Sequence, residues 1–193
     1  MIFKSFLKAR TIVLFIVLAF FSCNNSNKEI HNIDIAKSYY QVLNESNISE
    51  ISHLISDSLG TKELGYDYTQ VFSKARYIDW LKWDAVFKPS YKILEINDNK
   101  QTIKAKISKT DQLILFLHKA PTVFEQTLYF KNGKITTIEN KNVIFNDSIW
   151  VKNRTEFLNW IDQNHPELNG FIFDQTEEGG LKYLKAISLY NAQ

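Results

Sequence analysis

The 193-residue chain has one cysteine, six glycines and four histidines. A lone thiol cannot close an internal disulfide, so no covalent staple is expected. Six dispersed glycines form no Gly-rich phosphate loop and no nucleophile elbow. His31, His53, His118 and His165 are scattered, with no His-x-x-x-His and no carboxylate at ligand spacing, so neither a metal site nor a cofactor is expected. Charge of one sign is also lacking. The formal balance of +2 includes Lys4, Lys8 and Arg10, which lie in a segment expected to be removed, and without them 20 basic residues face 21 acidic ones. No basic field is left for nucleic acid, and no like-charge run reads as an interaction tail. Aromatic residues, at 14%, are abundant, which suits a filled core or an aromatic-lined cavity equally well.

Long apolar runs are missing except one. Lys4, Lys8 and Arg10 precede Ile12–Phe21, and the run ends at Ser22-Cys23. A basic end, a short apolar core and a small residue before a cut make a secretory signal over residues 1–22. The run makes about 15 Å of helix, against a bilayer core of about 30 Å, so cleavage fits better than a permanent span. Ala19-Phe20-Phe21-Ser22-Cys23 resembles a bacterial lipobox, although Phe20 stands where an aliphatic residue is usual. The resemblance implies lipidation of Cys23, with membrane lipid as its partner and residues 23–32 as lipidated cysteine and polar tether. Two or three acyl chains would anchor the chain firmly, since one alone is marginal. The expected address is the cell envelope, facing the periplasm from the outer membrane. No acidic cluster follows Cys23 to signal export to the cell surface.

Period-two alternation is concentrated between Tyr91 and Ile144. Thr102–Ser108 places its apolar side chains on one face, and Phe124, Gln126, Leu128 and Phe130 share a face of the next strand. Asn132-Gly133 between Lys131 and Lys134 is a type I′ hairpin signal, because that turn needs positive φ at both central residues. Asp98-Asn99 is expected to turn the earlier pair, giving an antiparallel meander of about four strands. Before it, Ala36, Tyr39, Tyr40 and Leu43 give a first helix. Ile48, Ile51, Leu54 and Ile55 give a second, capped by Asn47 with Glu50 and stopped by Asp57–Gly60. Thr61–Tyr68 reads as a loop, and Thr69 to Phe87 as a third helix ended by Pro89.

This order, two short helices in "AKSYYQVLNESNISEISHLISDSL", a loop, a third helix and a meander with an Asn-Gly hairpin, resembles the nuclear transport factor 2-like, or SnoaL-like, superfamily. The resemblance covers about residues 33–143. It implies an α+β cone, a curved sheet wrapped on helices with a pocket at its open end. Members include ketosteroid isomerase-like and polyketide cyclase-like enzymes and many proteins that only bind.

Such enzymes place an acid or base inside the cone, often opposite a tyrosine. Here Asp79, Asp84, His118, Glu125 and Gln126 are available, but none occupies a motif spacing, so no catalytic residue is assigned. Asp79 and Asp84 read as a solvated helix face beside Lys82, and His118 as a surface or capping residue at a strand end after Leu113–Leu117. Tyr40, Tyr66, Trp80, Trp83, Phe87 and His118 are the candidate pocket lining, although for the aromatic ones among them the favoured reading is that they fill the cone. Residues 148–193 extend the domain, which spans 33–193. Asn153 with Glu156 and Asp174 with Glu177 are expected helix starts, and Gly179-Gly180 implies close packing or a late start. The extension is expected to cover the cone mouth or a sheet face through which other members dimerise. Two functions stay open: a binding module for a small apolar ligand or a protein, and an isomerase or cyclase using a carboxylate and a tyrosine.

Overall fold

The structure, a computed structural model, describes residues 31–193; the signal segment, Cys23 and most of the tether lie outside the described residues. The described residues start with α1 (Asn32–Glu45), a 3-10 turn (Ile48–Glu50) and the single-turn α2 (Ile51–Leu54). Strands β1 (Ile55–Glu63) and β2 (Tyr68–Ser73) follow, then α3 (Lys74–Val86). The meander is β3 (Ser90–Asp98), β4 (Thr102–Thr110), α4 (Gln112–Leu117), β5 (Thr122–Lys131) and β6 (Lys134–Ile144). The chain finishes with α5 (Asp147–Asn164), two 3-10 turns (Pro166–Leu168, Phe171–Phe173) and α6 (Glu177–Asn191).

Among the described residues one sheet of six strands runs in the order β2-β1-β6-β5-β4-β3. All neighbours are antiparallel except β1 and β6. The expected four strands are therefore β3 to β6, and a further hairpin adds to the β6 edge. Register shifts at Ile93/Glu95 and Tyr129/Phe130 mark bulges, which bend strands and increase twist, so the sheet curves around α1 and α3. The concave face carries Ile103, Ala105, Ile107, Leu128, Ile135 and Ile138, all buried against Ile35, Ala36, Tyr39, Tyr40 and Leu43 of α1. Lys104, Glu125 and Tyr129 face water on the other side. Asn132 and Gly133 have φ of 51° and 68°, as the hairpin signal demands.

Several expected elements change type. Residues 55–60 are strand rather than helix end, and 61–68 close a hairpin rather than forming a loop. Ile51, Ile55 and Leu59 are spaced by four, which suits a helical face and equally the even period of a strand, and Ser56-Asp57-Ser58 between them favours helix poorly. Helix α3 starts at Lys74, not Thr69, because Ser73 caps it by accepting from the Arg76 N–H. Before it Phe72 is buried while Val71 is 68% exposed, the alternation of a strand. Leu113–Leu117 is helix, not strand. Asp111 accepts from the Ile114 N–H at 2.6 Å and starts the turn, a signal that a short all-apolar run hides. Helix α5 begins six residues before Asn153, at Asp147, and is capped by Asn146; the Asn153 amide instead donates to the Leu117 carbonyl at 2.7 Å. Thr176, not Asp174, caps α6. Asn47 precedes the 3-10 turn but makes no side-chain cap.

The C-terminal extension packs on helices, not on the sheet face. Phe157, Ile161, Phe171, Tyr183, Ala186 and Ile187 join Phe87, Leu113 and Leu117 in a second core beside the cone. The glycine pair makes that docking close. A Cβ at Gly180 would lie 3.1 Å from the Trp83 carbonyl oxygen of α3, and one at Gly179 would lie 1.9 Å from the Asp174 carbonyl oxygen.

Candidate functional site

The concave sheet and α3 do not close completely on each other. Between them lies a cavity of about 410 Å³. Tyr39 of α1, Phe72 of β2, and Tyr77, Trp80 and Leu81 of α3 build an aromatic wall. The rings of Phe72 and Tyr77 meet edge-on at 5.6 Å, and those of Tyr77 and Trp80 stack at 5.7 Å. Facing it, strand pleating turns Glu63, Lys109, Gln126 and Asn140 inward from β1, β4, β5 and β6. Of the extension, only Gln175 reaches the cavity.

The polar side is organised in two networks. In the first, the Tyr40 hydroxyl donates to Gln126 Oε1 at 2.7 Å. The Gln126 amide donates to Asn140 Oδ1 at 2.6 Å, and the Asn140 amide donates to Glu63 Oε1 at 2.6 Å. Parallel pairing of β1 with β6 sets Glu63 opposite Asn140 and so fixes the last link. Burial pushes the Glu63 carboxyl above its ordinary range, and the Asn140 bond only partly offsets this.

The second network holds charges. Asp84 of α3 is 3% exposed and accepts from the Tyr91 hydroxyl at 2.8 Å and from Lys109 Nζ at 2.6 Å. Lys109 also lies 3.3 Å from Asp111. Burial works against the lysine's charge, but the two carboxylates outweigh it and hold the ammonium above its usual range. Beside this cluster the Tyr39 and Tyr77 hydroxyls share a short hydrogen bond. Desolvation pushes Tyr39 up to about 12 and raises Tyr77 and Tyr91 well above a free tyrosine.

Of the residues expected to line the pocket, Trp80 does so. Tyr40 stands directly behind, as the first donor of the amide chain. Trp83 and Phe87 pack against each other at 5.0 Å in and beside the second core, where Phe87 also meets Tyr183. Tyr66 is exposed, and its hydroxyl donates to Asp147. His118 is buried rather than a surface residue: it accepts the Asn146 N–H on Nε2 at 2.8 Å, so its proton sits on Nδ1, facing the Ala120 carbonyl at 2.7 Å. With Phe145 stacked on its ring at 5.0 Å, it latches the start of α5 to the end of α4 and stays outside the cavity. Asp79 pairs with Lys82 on an exposed face as expected, but Asp84 does not; one turn further along, α3 points it at Tyr91 and Lys109. Glu63, Lys109, Tyr39 and Tyr77 were not singled out from the sequence.

Among the described residues no three side chains of His, Cys, Asp and Glu gather as metal ligands would, and no helix is long and apolar enough to cross a membrane. No protein-family model matches the chain, and no curated protein matches it. Solved structures do. A candidate polyketide cyclase from Acidithiobacillus ferrooxidans is 13% identical, with 64% of this chain and 94% of that one covered at a TM-score of 0.50. A protein from Kribbella flavida, 10% identical, covers 64% of this chain and 93% of its own, also at 0.50. A nuclear transport factor 2-like protein of unknown function from Cytophaga hutchinsonii matches at 10% identity over 60% and 92% of the two chains, with a TM-score of 0.49. At such identities the likeness concerns fold alone. Helices leading into a curved mixed sheet, wrapped around a cavity, give this chain the nuclear transport factor 2-like fold.

Proposed function

We propose that the domain is a small-molecule binding cone, carried on the periplasmic side of a bacterial envelope membrane by lipid on Cys23. The observation that carries the binding reading is the cavity itself. It is about 410 Å³, within the usual size of ligand pockets, with one aromatic wall and one wall of convergent polar groups. A cone meant only to be packed would fill this space, since protein interiors are close-packed. The C-terminal helices leave it open, because they dock on α3 and α4 and contribute only Gln175. The lipid anchor is supported by Ala19–Cys23 and by the polar run Asn24–Lys28, which gives the domain a tether.

A second reading is an isomerase or cyclase, and one observation favours it. Glu63 is a carboxyl raised by burial in a cavity that also holds the Tyr39–Tyr77 hydroxyl pair, a combination able to move a proton. The two readings separate in one experiment on the full chain in detergent. A panel of neutral, cationic and anionic small molecules is screened by thermal unfolding and by tryptophan emission, because Trp80 sits in the wall. Ligands that raise Tm and lose their effect in Trp80→Ala support the cone. A panel without any such ligand overturns it. Each ligand found is then incubated with the protein and followed by NMR. An unchanged ligand supports binding alone, whereas conversion that Glu63→Gln abolishes supports the enzyme.

A further inference from the structure

The chemistry of the cavity walls restricts what can sit there. We infer that its occupant is an organic cation, a protonated or methylated ammonium with an apolar shell. The inference rests on the small-molecule reading of the cavity and adds the ligand's charge.

Three observations converge. First, the wall of Tyr39, Phe72, Tyr77, Trp80 and Tyr91 is a set of aromatic rings, whose π faces carry negative potential and attract cations within about 6 Å of their centroids. The molecule already uses this attraction at the same place: Lys109 Nζ lies 5.1 Å from the centroid of the Tyr91 ring. Second, the charged side chains that line the cavity are Glu63 and Lys109, and Lys109 is already paired with two carboxylates outside the lining, Asp84 and Asp111. Its ammonium is held 2.6 Å from Asp84 and 3.3 Å from Asp111, and among the described residues no arginine lines the space. An anion entering would be desolvated near Glu63 without a free positive partner. A cation would meet a carboxylate in surplus.

Third, Glu63 is built to face such a partner. Its Oε1 takes the Asn140 amide, and among the described residues no hydrogen bond reaches its other oxygen. The chain behind it, Tyr40 to Gln126 to Asn140, supplies one amide hydrogen bond and no charge. This leaves the carboxylate oriented and only partly compensated. Burial then disfavours its ionised form, the condition that a bound ammonium relieves.

Isothermal titration of the full chain in detergent tests this with three probes of one shape: choline, its neutral carbon isostere with a tert-butyl group in place of trimethylammonium, and tert-butylacetate. Choline is expected to bind about tenfold more tightly than the isostere, the size of a desolvated cation–π contact combined with one ion pair. Trp80→Leu keeps an apolar wall but removes the π face, and Glu63→Gln keeps the Asn140 bond but removes the charge. Each is expected to weaken choline several-fold and leave the isostere unchanged, so if one variant fails to fold the other still decides. An isostere or carboxylate that binds as tightly as choline overturns the cation and leaves the cavity reading standing. Absence of binding by all three, alongside a panel in which no molecule of any charge raises Tm, overturns the cavity reading and this inference together.

Discussion

At the residue scale, two ionisable groups set opposite demands. Glu63 is held with its carboxyl above the ordinary value by burial. A raised folded-state value means that the native protein holds this proton more tightly than the unfolded chain does. Its contribution to stability is therefore complete below the unfolded value of about 4.3 and is lost as pH rises through the folded one. Glu63→Gln stays neutral throughout and keeps an oxygen for the Asn140 amide. It should match the wild type near pH 4 and be the more stable protein at pH 7, and urea midpoints across that range would check it; a variant less stable at pH 7 would show that the ionised carboxylate is paid for by a partner in the fold. Lys109 is the reverse case. Lys109→Met leaves Asp84 and Asp111 buried without their cation. Breaking a buried pair in this way costs about 3–5 kcal/mol, so the variant's unfolding free energy should drop by that order in urea, and a change below about 1 kcal/mol would mean water already screens the cluster.

At the element scale, α6 depends on two missing side chains. Gly179 lies in its first turn, and a Cβ there would stand 1.9 Å from the Asp174 carbonyl oxygen, which is backbone and cannot swing aside. Helix propensity alone favours Gly179→Ala by about 1 kcal/mol, yet the collision should dominate and destabilise the protein by about 1–3 kcal/mol, read as a lower Tm. A higher Tm would mean that the first turn of α6 is not docked as described. The sequence made this close approach legible, since two adjacent glycines at a helix start need a reason. The Asn-Gly hairpin was equally legible, because its turn type is a local matter of φ. Residues 55–72 were not. Ile51, Ile55 and Leu59 satisfy both periods, and whether the segment becomes strand is decided by pairing with β6, eighty residues away. The site failed to show for the same cause. Trp80 could be found from its place on an amphipathic helix, whereas Glu63 gains its role only through its register with Asn140, and Asp84 through Tyr91 and Lys109.

At the scale of the whole molecule, the cone and the proposed anchor are expected to be separable. The described domain is held by two apolar cores, whose first member among the described residues is Ile33 near the start of α1. The lipid proposed on Cys23 is expected to hold the domain at a membrane without contributing to the fold of the described residues. Cys23→Ala should leave the thermal unfolding curve of the domain and its ligand response unchanged, while moving the protein from the membrane fraction to the soluble fraction after cell lysis. Continued recovery of Cys23→Ala in washed membranes would sink the lipid anchor. The cavity reading would survive, with its source of ligand moved away from the envelope surface.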